Sequence, residues 1–159
     1  MFDPSAPPAA DLAVLHSLPH PACLHDAAFD VVAANRAFVE IFPGTGAGAN
    51  LMTGIMLDPM ARYRLGDWEF EAQLMVSTFR HLAPGRVAPA RIEEILNLCR
   101  RSPEWDRLWN ENEGAEAPRE RTVLMHEPET RREIRLYVQT FLFESPQRPW
   151  WLLTLVPFE

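Results

Sequence analysis

The stretch "PWWLLTLVPF", residues 149 to 158, carries a single polar side chain, Thr154. A strand that is apolar on both of its faces belongs inside a sheet that is covered on both sides. Two stretches before it, "ERTVLMHE" and "REIRLYVQTFLF", are also rich in β-branched and aromatic residues, and the turn-like "PETR" and "ESPQR" set them apart. In the second, Ile134, Leu136, Val138, Thr140 and Leu142 share one face, while Arg135, Tyr137, Gln139, Phe141 and Phe143 share the other. Near the start, "ACLHD" and "FDVVAA" read as two further strands joined by a tight turn at Ala27 and Ala28. The chain therefore supplies five strands, and the segments between them must provide the cover.

Those segments read as helices marked by capping signals. Asn35 caps "NRAFVEIF", whose Phe38, Ile41 and Phe42 form its buried stripe before "PGTGAGAN" stops it. Asp58 and Pro59 start "DPMARYRL", Gly66 closes it, and Asp67 starts "DWEFEAQLMVSTFRHL". In that helix Trp68, Ala72, Met75, Phe79 and Leu82 make one apolar face. "APARIEEILNLCRR" places Ile92, Ile95, Leu96 and Cys99 on one face, with Arg100 and Arg101 at the negative end of the helix dipole. Pro103 forces a break, and Ser102 as N-cap with Pro103 at the first position starts "SPEWDRLWN", where Trp105, Leu108 and Trp109 align. Ahead of all this, "DLAVLHSL" is a short helix. Residues 1–10, rich in Pro and Ala, read as a disordered tail to a domain spanning residues 11–159. The order of elements makes an α+β domain, one antiparallel sheet covered by several helices.

Composition excludes several functions. A formal charge of −7 disfavours sequence-independent nucleic-acid binding, which needs a basic surface to displace counterions. All 15 basic residues are arginines, which removes Schiff-base chemistry, a P-loop lysine and a lysine general base together. No apolar run approaches the roughly 20 residues of a membrane span, and "MFDPSAPPAADL" lacks the basic start of a signal peptide, so a cytoplasmic location is expected. Cys23 and Cys99 lie too far apart for a metal knuckle and read as buried apolar groups. His25 and Asp26 are adjacent on a strand and point to opposite faces, so they make no acid–base pair. Cys23 shares a face with His25, yet no third orienting group is recognisable and no catalytic residue is assigned. "GTGAGAN" lacks the ending of a phosphate loop, and His16, His20, His25, His81 and His126 show no metal-ligand spacing, so neither cofactor nor metal is expected.

Four stretches, "LHSLPHPACLHDAAFDVVAANRAF", "NLMTGIMLDPMARYRLGDWE", "RSPEWDRLWN" and "LMHEPETRREIRL", together resemble the MmyB-like transcription-regulator ligand-binding domain, with similarity from about Leu12 to Val156. The resemblance implies a PAS-like, five-stranded antiparallel sheet and a sensor role. Members of that family form the C-terminal half of bacterial Xre-type helix-turn-helix regulators and bind small apolar molecules, with fatty acids the best-known type. This sequence departs from the pattern in three places. No helix-turn-helix precedes Leu12, so a cut-out sensor half or a stand-alone version is expected. The compact His-Pro turn is split as His126, Glu127 and Pro128, with arginine near Arg132 in place of a glycine, and an aromatic of the long strand is offset onto Tyr137.

An aromatic or aliphatic stripe at helical spacing is ordinarily core. A five-stranded sheet cannot bury every such face here, however, and the surplus could line a cavity. On that reading Trp68, Met75, Phe79, Ile95, Cys99 and Trp105 form the wall, and Arg62, its neighbour Tyr63, Arg135 and Tyr137 are the polar partners for a head group. Trp109, a turn deeper in its helix than Trp105, is assigned to the core. The expected function is a non-enzymatic sensor that binds an apolar molecule such as a fatty acid and signals to a helix-turn-helix partner or domain. The alternative is a ligand-free dimerisation module, which would be solid inside and apolar outside, whereas the sensor needs a closed void of several hundred cubic ångströms. The charge leads to a direct expectation: in a gel-shift titration at low salt, this chain alone shows no saturable binding to mixed-sequence duplex DNA. Micromolar saturation would contradict it.

Overall fold

The computed structural model describes residues 6–111 and 119–158. Strands β1 (Ala22–Asp26), β2 (Val31–Ala34), β3 (Thr122–His126), β4 (Glu133–Glu144) and β5 (Gln147–Pro157) form one antiparallel sheet in the order β2-β1-β5-β4-β3. The doubly apolar strand β5 thus lies at the centre, as its composition requires. The register pairs Cys23 with Leu153, His25 with Trp151 and Val138 with Leu155, which places these side chains on one face of the sheet. Ala22, Leu24, Trp150 and Leu152 lie on the opposite face.

Helix α1 (Ala9–Ser17) covers that opposite face with Leu15, and its Asp11 is buried there. One carboxylate oxygen of Asp11 accepts from Trp150 Nε1 and Arg148 Nε, each at 3.0 Å. The helix starts two residues before the expected "DLAVLHSL", because Ala9 and Ala10 are strong helix formers that Pro8 leads into. Residues 1–5 of the expected tail lie outside the described residues.

The first face carries α2 (Arg36–Ile41), α3 (Leu51–Leu57), α4 (Ala61–Arg64), α5 (Trp68–Leu82), α6 (Pro89–Cys99) and α7 (Trp105–Asn110). Asn35 and Asp67 cap α2 and α5 as expected, accepting from Phe38 N at 3.0 Å and Phe70 N at 3.2 Å. Helix α3 was not anticipated. Gly54 interrupts its sequence, yet Asn50 caps it by accepting from Thr53 N at 2.9 Å. Asp58 folds back on Met60 N at 2.9 Å in an Asx turn, so α4 shrinks to a single turn. Ser102 is not an N-cap: its hydroxyl donates to Glu104 Oε2 at 3.0 Å, and α7 begins only at Trp105.

The buried side chains fall into distinct clusters. Cys23, Val31, Phe38, Ile41, Val123, Met125, Leu136, Val138 and Leu155 join the sheet to α2. A separate cluster unites Met52 and Ile55 of α3, Trp68, Val76 and Phe79 of α5, Ile95 and Cys99 of α6, and Trp105 and Leu108 of α7. The helices thus bury their aromatic faces mainly against one another, whereas the sequence reading pressed them all onto the sheet. Trp105 is 3% exposed and stacks on Trp109 at 5.4 Å between ring centroids, while Trp109 is half-buried beneath the Arg80 guanidinium. Trp105, expected at the ligand, is therefore a core residue and the more deeply buried of the two. Trp105→Ala should cost roughly 3–5 kcal/mol in urea unfolding, and Trp109→Ala less than half as much. Equal losses would show that the two rings are equally core.

Candidate ligand-binding site

Between the sheet and the helical cluster lies a cavity of about 580 Å³. Its floor is built from the inward side chains of the sheet, among them Val138, Trp151, Leu153 and Leu155. Phe38, Leu51, Ile55, Leu74 and Met75 close it from the helices. Among the described residues it is open on one side, where the exposed Thr78, Arg119, Glu120 and Thr140 stand at its rim. The expected closed void is thus an open-sided one. Gly54 also lines the cavity, and a Cβ added there would meet no atom within 4 Å. Glycine in a helix interior costs roughly 0.5–1 kcal/mol relative to alanine, so this position gives up stability and keeps the space beside the backbone open.

Several polar side chains interrupt the apolar wall. Glu71 on α5 is buried and pairs with Arg121, just before β3. Burial pushes its carboxyl above the ordinary range, and the Arg121 charge pulls in the opposite direction. Arg64 reaches Asp58 with one terminal nitrogen at 3.3 Å, while its Nε is buried and has no partner among the described residues. His25 lies between the rings of Phe29 and Trp151, at centroid distances of 5.0 and 5.9 Å. Burial pushes its imidazole below the ordinary value, against a backbone hydrogen bond that acts the other way. Cys23 and Cys99 have thiols pushed up to about 12 by burial, so neither offers a thiolate at neutral pH.

Of the residues expected at a ligand, Met75 and Tyr137 border the cavity. The register of Tyr137 turns its ring to the other face of β4, where it stacks on Phe158 at 4.2 Å. Trp68, Phe79, Ile95, Cys99 and Trp105 belong to the helical cluster and do not line the cavity, since helices packed on helices consume those faces. Trp68 Nε1 is spent on the Ile55 carbonyl at 2.8 Å. Arg62 points outward, pairing with Glu104 at 2.5 Å and lying 4.0 Å over the Trp68 ring. Exposed Tyr63 packs its ring at a tilt against His126, and Arg135 is exposed on the outer face. Of the two arginines in this motif, Arg64 is the one that reaches the cavity. Two residues along a helix turn a side chain by about 200°, which separates Arg62 from Arg64 although both lie in the same short motif.

A five-stranded antiparallel sheet in this order, with a cavity between its inner face and a set of covering helices, is a PAS-like α+β fold. The model of the MmyB-like transcription regulator ligand binding domain matches residues 7–159, and the chain belongs to that family. The family is one of regulator ligand-binding domains and not of enzymes. Among solved structures, the PAS domain from Bordetella pertussis BvgS is similar over 92% of this chain and 82% of that chain, at 11% sequence identity and a TM-score of 0.40. Comparison with curated proteins finds no match. No helix among the described residues is long and apolar enough to cross a membrane, and no cluster of three metal-ligating side chains occurs among them.

The Glu71–Arg121 pair makes stability depend on pH with a definite sign. The folded carboxyl holds its proton more tightly than the unfolded one, so its contribution to stability falls as pH rises from the ordinary 4.5 to the raised value. Arg121→Gln strips away the opposing charge and raises that value further. The variant should lose roughly 1–3 kcal/mol at neutral pH and recover most of it near pH 4.5. Urea unfolding at the two pH values measures this, and a loss independent of pH would refute it.

Proposed function

We propose that this domain takes a small, largely apolar molecule of the fatty-acid type into the cavity and passes the resulting change to a DNA-binding partner or domain in the bacterial cytoplasm. The observation that carries the reading is the cavity itself, whose 580 Å³ falls within the roughly 300–1,000 Å³ of small-molecule sites and whose wall is mostly apolar. Gly54 supports it, since a helix that only had to pack would gain from alanine there. The buried, unpartnered Nε of Arg64 is a donor suited to a carboxylate. Reading α5 and α6 as parts of one helical body makes the transmitted signal a shift of that body against the sheet.

A second role is favoured by a separate observation. Phe141 and Leu142 are 48% and 56% exposed near the end of β4, and two copies of the chain could bury them against each other. That role is compatible with a filled cavity.

Native mass spectrometry before and after delipidation, followed by thermal melts with fatty acids of increasing chain length, tests the ligand. A molecule present at 100 times its Kd stabilises the folded state by about 2.7 kcal/mol. Gly54→Leu should fill the cavity, raising the melting temperature of the ligand-free protein and abolishing the shift with every fatty acid, whereas Arg64→Gln should weaken fatty acids more than the matching alcohols. The absence of any adduct or shift in the unmodified chain would favour the dimerisation role alone.

A further inference from the structure

The structure assigns His25 as a hydrogen-bond acceptor for a hydroxyl group carried on the apolar ligand, so that the preferred ligands are hydroxylated. The inference rests on the apolar-ligand reading above and names its chemical class. His25 is 5% exposed, and its ring lines the cavity. Nδ1 lies 2.9 Å from the backbone carbonyl of Asp26. A carbonyl can only accept, so Nδ1 carries the proton. Nε2 lies on the far side of the ring from that carbonyl, and no described residue pairs with it.

In the neutral ring Nε2 presents a lone pair, and the surroundings keep the ring neutral. Phe29 and Trp151 stack nearly parallel to it, and Cys23, its neighbour on the same face of β1, is buried and protonated. A lone pair in such a place asks for a donor. An ionised carboxylate has none to offer and would face the nitrogen with its own lone pairs, whereas a hydroxyl donates. Four other polar side chains of the wall are already engaged, and the Arg64 Nε is itself a donor, suited to a carboxylate. Thr78 donates to the Leu74 carbonyl at 2.7 Å, Thr45 to that of Phe42, and Glu71 and Asp58 face Arg121 and Arg64. The tautomer is therefore set by the strand's own backbone before any ligand arrives, and the pairing requires no rearrangement of the protein.

The probes are dodecanoic acid and its monohydroxy isomers, one for each chain position, titrated against the intact chain. At least one isomer should bind roughly 2- to 12-fold tighter than dodecanoic acid, the ratio expected for one net hydrogen bond. His25→Asn keeps a donor near Nδ1 but has nothing at the Nε2 position, and should bring that ratio to one. His25→Gln reaches the Nε2 position with its amide and should retain part of the preference. In the unmodified protein, the ¹⁵N resonance of His25 Nε2 should move upfield on adding the preferred isomer and stay in place with dodecanoic acid, a readout that does not depend on the variants folding. Equal binding of every isomer, or an unmoved resonance, would overturn the assignment while leaving the apolar-ligand reading intact. Failure of every probe, dodecanoic acid included, would overturn both.

Discussion

Strand β5 must be hidden from water on both faces, and the two faces are hidden by different means. On one side a single helix, α1, is enough. On the other, α3, α5, α6 and α7 pack largely on each other, so this cover behaves as a body with its own interior laid against the sheet. Two apolar bodies with separate interiors touch wherever their shapes allow and leave space elsewhere. The cavity is the space left where the second body stands away from the sheet. Leu51 and Leu65 border both interiors, and Phe29 reaches from the β1–β2 turn into the helical one.

Directional bonds hold that turn to the helices. Asp26 accepts from Ala28 N at 2.9 Å and Asp30 N at 3.0 Å, which folds the turn tightly and leaves Phe29 at φ 62°, a left-handed conformation uncommon for so bulky a residue. Arg91 of α6 grips Asp30 with two nitrogens, at 2.5 and 3.1 Å, and Asn50 donates to Asp30 and to the Ala28 carbonyl. Each bond is half-exposed and individually modest. Their geometry, though, fixes one orientation of the turn and supports a backbone conformation that would otherwise relax. Phe29 is in turn one of the two rings that hold His25.

The sheet was legible because alternation is a strong signal: the two faces of β4 and the central place of β5 follow from which residues are apolar. The caps at Asn35 and Asp67 were legible for the same local reason, a short polar side chain beside the first turn. Helix α3 escaped because Gly54 breaks its apolar run, and that same glycine marks the cavity. The site was harder to read because its residues come from all five strands but β2 and from α2, α3, α4 and α5, and no spacing in the chain brings them together. The conspicuous stripes, Trp68 with Phe79, Ile95 with Cys99, and Trp105, were conspicuous because they are core. One signal lay in plain sight. In "ACLHD" a histidine occupies the inward face of a strand bound for burial, and the sequence reading weighs it as half of a catalytic pair with Asp26 or Cys23 and as a metal ligand, not as a partner for a ligand.

The alternation of β1 has a further consequence for how the two sides of the sheet are connected. Leu24 lies beneath α1, while Cys23 and His25, its neighbours on either side, face the helical body. The region where a ligand would sit and the region where α1 rests are therefore separated by the thickness of one pleated strand and by a single peptide bond. A rotation of His25 about its backbone tilts the adjoining peptide planes, and those planes also carry Leu24. The sheet here is less a wall between two compartments than a membrane in the acoustic sense, thin enough that what presses on one side is felt on the other.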